Sequence, residues 1–293
     1  MRAEGEWTAL RVEVASAAAD AVVNFLVERG AAGVLTDDVA GAAPRIRLEA
    51  HVPRDVGSTL AAALEAYLHD LAEIDATWTA GPVDVATVPP TDWESVFRAH
   101  HRPLAIGGRL LVAPPWDVPD APGREVLVIE PGMAFGTGQH ATTRTCLEEI
   151  EALVGAGGVA SALDVGTGSG LLAAALSRLG VPRVVALDVD TAVLPLARQN
   201  LDRNRAGAVL LLGGTVASVR DRFDLVVANI LADVLVAEAS RLDATVAPGG
   251  RLVLSGILAE QVPRVLAAFP GWYATAVRAD DPWRTVRLER EPA

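Results

Sequence analysis

Apolar residues alternate with polar ones at the start of the chain, then settle into longer blocks spaced by glycine and proline. Residues 7–14 place Leu10, Val12 and Val14 on one face, the period of a half-buried strand. Ser16 then predicts a capped helix to about Arg29, stopped by Gly30 and Gly33. Strands are predicted over 33–37 and 45–52, where Ile46, Leu48 and Ala50 alternate with Arg45, Arg47 and Glu49. A helix from Ser58 to about Ile74 carries Leu60, Leu64, Tyr67, Leu68 and Leu71 on one side, and residues 76–85 predict a closing strand. The order βαββαβ makes residues 1–88 a small ferredoxin-like α/β domain without visible catalytic residues.

Pro89-Pro90 ends that unit, and a short helix is expected to start at Thr91-Asp92-Trp93-Glu94. Residues 89–130 read as a structured connector with strands at 109–112 and 125–129, because Trp93, Phe97 and Trp116 can anchor it. Beyond it, residues 131–293 alternate. Helices at 141–154, 169–179, 191–203, 233–243 and 259–268 interleave with strands at 161–165, 183–188, 208–213, 223–229 and 250–256. A strand pair near 272–279 and 284–290 closes the chain. Such alternation implies an α/β fold with a parallel sheet covered on both faces.

At 293 residues the chain suits two domains, and its apolar content rules out disorder as the default. A single cysteine, Cys146, excludes an internal disulfide framework and suits a reducing, cytoplasmic setting. The polar start, without an apolar signal core, and the lack of an apolar run of about 18 residues point away from export and membranes. Every basic residue is arginine. The net charge of −12 is concentrated in residues 1–90, which hold fourteen acids and six arginines. That surface repels phosphate backbones and attracts basic partners, so direct nucleic-acid binding is not expected.

The chemistry begins at Asp164-Val165-Gly166-Thr167-Gly168-Ser169-Gly170. It follows an apolar strand and opens an Ala/Leu-rich helix, and the next strand ends on Asp188. Glycines let backbone approach a ligand, and an acid at the second strand tip can accept both hydroxyls of a ribose. A dinucleotide turn would read G-x-G-x-x-G; here the spacing is G-x-G-x-G, with Leu171 where the last glycine should fall. Asp164 would meet the amino group of a methionyl moiety and repel a pyrophosphate. The motif resembles that of S-adenosylmethionine-dependent methyltransferases.

Asn229 ends a hydrophobic strand, where an amide is unexpected for packing. It is expected to position an incoming amine, with turn capping as the plain alternative. Asn229-Ile230-Leu231-Ala232 resembles the Asn-Pro-Pro-Tyr signature of amine methyltransferases without its prolines. The run Glu130-Pro131-Gly132-Met133-Ala134-Phe135-Gly136-Thr137-Gly138 forms an adaptable loop, with Phe135 as an apolar surface for a sulfonium or methyl group. Thr142 and Thr143 open the next helix, whose hydroxyls and free N–H groups could bind a carboxylate. His100, His101 and His140 lack metal-ligand spacing, so no metal is expected. Cys146 and Trp283 read as packing residues.

Together, that loop, a His-x-Thr-Thr element, the Asp-x-Gly-Thr-Gly-Ser-Gly turn, Asp188-Val189-Asp190, Asn229-Ile230-Leu231 and Leu254-Ser255-Gly256-Ile257-Leu258 resemble the PrmA-type family. Asp92-Trp93-Glu94 is similar to the family's connector. The family methylates the large-subunit ribosomal protein L-eleven. The resemblance is dense over 92–260 and architectural before that. It implies a class I methyltransferase fold, a Rossmann-like seven-stranded sheet, and S-adenosyl-L-methionine held by Thr143, Gly166, Asp188 and Asn229. Asp164, Gly168, Phe135 and Thr137 complete the expected cofactor contacts. It further implies N-methylation of lysine or N-terminal amines on a basic ribosomal protein, with the first domain choosing the substrate and a monomer as the expected assembly. A class I enzyme acting on another protein or a small-molecule amine is the alternative. A nucleotide-dependent oxidoreductase is disfavoured by Leu171, and a non-catalytic binding protein by the complete cofactor motif.

Overall fold

The computed structural model describes residues 7–31, 33–39, 45–88, 98–99, 101–131 and 138–290. The chain divides into two compact units, Met1–His101 and Arg102–Ala293.

In the first unit, β1 (Trp7–Ala15), α1 (Ser16–Glu28), β2 (Val34–Val39), β3 (Arg45–Pro53), α2 (Arg54–Ile74) and β4 (Asp84–Val88) follow in order. The sheet runs β2-β3-β1-β4 with every neighbour antiparallel. Alternation decides the faces: Leu10, Val12, Val14, Leu48, Ala50 and Val52 pack with Val22 and Leu26 of α1 and Leu60 and Leu64 of α2. The opposite face pairs charges, Arg11 with Glu49 and Arg47 with Glu13. Two expectations need correcting. Ser16 does not cap α1; the N-cap is Ala15, held in the sheet by its pairing with Arg45. The strand expected over 76–85 starts only at Asp84. The Asp75 carboxylate accepts from both the N–H and the hydroxyl of Thr77, bending the chain into a turn, and Pro82 has no N–H for a ladder.

The second unit begins with a small sheet, β5 (Leu104–Ile106), β6 (Leu110–Ala113) and β7 (Glu125–Val128), in that order. These strands lie in the stretch expected to be a connector. Their Ile106, Leu110, Val112 and Leu127 share a core with Leu147 and Ile150 of α3 (Ala141–Gly155). The large sheet then assembles from β8 (Ser161–Val165), β9 (Arg183–Asp188), β10 (Leu210–Gly213), β11 (Phe223–Asn229), β12 (Val246–Leu258), β13 (Trp272–Asp280) and β14 (Trp283–Arg290). Its order is β10-β9-β8-β11-β12-β14-β13. The first five strands are parallel, and β14 joins β12 and β13 antiparallel. This is the class I methyltransferase architecture.

Period-2 alternation sends residues of each parallel strand to opposite faces. Ala162, Leu225 and Val227 join the core under α3 and α4 (Leu171–Arg178). Leu163, Val165, Val226 and Ala228 join the other core with Leu235 of α6 (Ala232–Ala237) and Leu242 of α7 (Ala239–Ala244). One continuous helix was the expectation over 233–243; the chain instead makes these two short helices, with Glu238 between them leaving helical dihedrals. Helix α5 (Leu194–Arg203) covers the edge near β10, and α8 (Val262–Ala267) follows a 3-10 turn. Among the described residues, no helix is long and apolar enough to cross a membrane.

Candidate active site

Register sets the site. Val165 pairs with Leu187 on one side and Ala228 on the other, and Asn229 pairs with Ser255. Gly166, Asp188 and Asn229 therefore emerge side by side at the carboxyl ends of adjacent strands. The chain changes direction across the sheet between β8 and β11, the switch point where open α/β sheets bind ligands.

The glycine turn is pinned to the neighbouring strand tip. Gly166 and Thr167 both donate N–H to the Leu187 carbonyl, at 2.9 and 3.0 Å. Gly168 N–H donates to Asp188 Oδ2 at 2.9 Å, and Asp190 N–H donates to Asp188 Oδ1 at 3.0 Å. A carboxylate has about four acceptor sites, so these two bonds leave Asp188 able to accept hydroxyls as well. The turn needs glycine. Gly166 has φ +75°, and a Cβ there would lie 2.4 Å from Ile230 Cγ2.

Asp164 shares the face of Ala162 and is fully buried. Its Oδ2 accepts from the Thr167 hydroxyl at 2.7 Å, while its Oδ1 is buried and has no hydrogen-bond partner among the described residues. Burial pushes this carboxyl up to about 7, against the pull of the Thr167 hydroxyl and the Ala173 amide; the nearby Asp188 adds to the rise. Leaving a buried acceptor unmatched costs free energy. An ammonium group reaching Oδ1 would remove that cost, which is what the amino end of a methionyl cofactor offers.

Asn229 is half-buried, and its Nδ2 donates to Thr143 Oγ1 at 3.5 Å, the long limit of a hydrogen bond. Its carbonyl oxygen accepts no hydrogen bond among the described residues. Ile230 follows in a narrow seat. A Cβ on Gly166 would strike its side chain, and one on Gly256 would come within 2.3 Å of its carbonyl oxygen. The start of α3 differs from the expectation of free donors. The His140 ring caps it, 2.8 Å from Thr142 Oγ1 and accepting from Thr142 N–H, while Thr143 N–H bonds the His140 carbonyl. Trp283, itself buried, lies edge-on to that ring at 5.2 Å.

Of the expected cofactor residues, Asp164, Gly166, Gly168, Asp188, Asn229 and Thr143 lie in this row or touch it. Phe135 and Thr137, like Asp92-Trp93-Glu94 and His100, lie outside the described residues. Cys146 is fully buried, and burial drives its thiol up to about 12. It neighbours a buried hydroxyl network in which Thr285 contacts Thr145 at 2.7 Å and Ser255 at 2.5 Å. Sequence reasoning missed Thr167 as the partner of Asp164, and it missed Gly256. It also missed Asn200, although the spacing of Ala197, Asn200 and Asn204 is that of one helix face.

The chain as a whole has counterparts among known proteins. A model of the family described as ribosomal protein L11 methyltransferase (PrmA) matches residues 6–291. The chain belongs to that family. Among ribosomal protein L11 methyltransferases, that of Geobacter metallireducens is 39% identical over 274 residues, covering 90% of each chain. That of Pelotomaculum thermopropionicum is 36% identical over 303 residues, covering 97% of this chain and 98% of the relative. The crystal structure of the ribosomal protein L11 methylase from Lactobacillus delbrueckii subsp. bulgaricus is 29% identical with a TM-score of 0.61. It covers 66% of this chain and all of that one.

Proposed function

We infer that this enzyme transfers methyl groups from S-adenosylmethionine to amines of ribosomal protein L11. Family membership supports the substrate class. The observation that carries the site assignment is the row of Gly166, Asp188 and Asn229 across three adjacent strand tips, with the unmatched Asp164 Oδ1 behind it. In this reading Asp188 accepts the ribose hydroxyls, Gly166 and Gly168 let the backbone approach, and Asp164 meets the amino group. Thr143, Phe135 and Thr137 complete the contacts.

When bound, the cofactor supplies an activated methyl group on a sulfonium. The protein's task is alignment and exclusion of water. A lysine of pKa about 10.4 must lose a proton at a cost of roughly 4–5 kcal/mol at pH 7, and an α-amine costs about 1 kcal/mol. Asn229 holds the neutral amine through its free carbonyl oxygen, with the neighbouring backbone carbonyls as further acceptors. The proton leaves to water, while these carbonyls accept hydrogen bonds from the amine. Residues 1–88 select the substrate; their acidic surplus suits a basic ribosomal protein and opposes nucleic acid. The working enzyme is a cytoplasmic monomer.

Mass spectrometry of L11 from cells with and without this enzyme tests the function. Methylated amines should disappear with the enzyme and return with the purified protein and cofactor. L11 of identical mass in both cells sinks the assignment and favours a different protein or small-molecule amine.

A further inference from the structure

Helix α5 packs against the glycine turn along one face. Ala197, Asn200 and Asn204 recur at the three- and four-residue spacing that stacks side chains on one side of a helix, and all three are buried. A Cβ on Gly170 would lie 3.2 Å from the Ala197 carbonyl oxygen, so turn and helix meet backbone to backbone. Asn200 Nδ2 donates to the Ser169 carbonyl at 2.9 Å, and its Oδ1 accepts from Glu130 N–H at 3.0 Å. Asn204 accepts from Val128 N–H and donates to Val128 carbonyl, both at 2.7 Å, and Arg203 reaches the Glu130 carboxylate at 2.7 Å.

We propose that Asn200 is a positioning residue that sets cofactor affinity from behind the glycine turn, by fixing the Ser169 peptide against the Glu130 amide. An amide has a donor arm and an acceptor arm, so this one side chain spans a carbonyl on one side and an N–H on the other. An apolar replacement would remove one hydrogen bond from the buried Ser169 carbonyl, in the turn itself, and one from the half-buried Glu130 N–H. The proposal rests on reading Gly166–Gly170 as the cofactor turn. Asn204 supplies the comparison: it is buried on the same helix face and grips Val128 but makes no bond to the glycine turn.

The test is S-adenosylmethionine binding by calorimetry to full-length wild type, Asn200→Ala and Asn204→Ala, each with its Tm. Both variants should lose stability. Asn200→Ala should bind about tenfold more weakly, and Asn204→Ala within about twofold of wild type. Wild-type affinity in Asn200→Ala, or equal losses in both variants, overturns the proposal. Should Asn200→Ala fail to fold, amide exchange in the wild type decides. Cofactor should slow exchange at Glu130 together with Gly170, and slowing at Gly170 alone overturns the coupling. A wild type that binds no cofactor removes the reading of the turn itself, a result distinct from these.

Discussion

Gly166 and Ile230 each follow the end of a different strand and meet so closely that a single methyl group on the glycine would lie 2.4 Å from Ile230 Cγ2. The contact links the cofactor turn to the residue immediately after Asn229. Gly166→Ala should therefore disturb both, through this clash and through φ +75°, which L side chains resist. Overpacking of this kind costs about 1–3 kcal/mol. Adding Ile230→Ala removes Cγ2 and should restore part of the loss. A double-mutant cycle on urea unfolding checks this; strictly additive effects would mean that the two residues do not press on each other.

Asp188→Ala should weaken cofactor binding by about 1.5–3 kcal/mol, the scale of hydrogen bonds to a charged group. It also frees the Gly168 N–H, so the turn should loosen while the sheet survives. Calorimetry on the folded variant is the check. Unchanged affinity would remove Asp188 from the site.

Asp164 predicts a pH dependence with a definite sign. Its carboxyl is raised from near 3.8 to about 7 in the folded protein, chiefly by burial. The folded state then holds a proton that the unfolded state has lost, so this group's contribution to stability falls as pH rises from about 4 to about 7 and is level above. A cationic amino group at Oδ1 favours the ionised form, so cofactor binding should tighten as pH rises towards 7 and release a proton below it. Calorimetry in buffers of different ionisation enthalpy at pH 6 reads that proton. Asp164→Asn should abolish the release, weaken binding at least about tenfold, and raise the Tm of the cofactor-free protein at pH 8, since it removes a buried charge. Proton release undiminished in the variant would assign it to another group.

Asn229→Ala should slow methyl transfer far more than it weakens cofactor binding. Alignment of the amine is expressed mainly in the transition state, and losing it should cost on the order of a hundredfold in rate, about 2.7 kcal/mol. The decisive measurement is single-turnover transfer to L11 at saturating cofactor. A near-wild-type rate reduces Asn229 to a structural residue whose amide ties the end of β11 to Thr143.

Local pattern determined most of the fold. The strands at 161–165, 183–188 and 223–229 and the helix opening at Ala141 are legible because apolar blocks bounded by glycine and polar residues constrain each element by itself. Asp164, Gly166, Asp188 and Asn229 were legible for the same reason: each stands at a strand end, and strand ends in a parallel sheet share one edge. Side-chain partners were not. Whether Asp164 Oδ1 is matched, whether Ile230 fills the space over Gly166, and whether Asn200 spans Ser169 and Glu130 depend on strand order and helix packing, which bring together residues far apart in the chain. The short strands at 104–106, 110–113 and 125–128 looked like parts of a connector because none is long enough to show its period. Only the shared core with α3 makes them part of the second unit. Period and punctuation act over a few residues and can be read in order; burial and hydrogen-bond matching act through space, and the tertiary structure alone sets them.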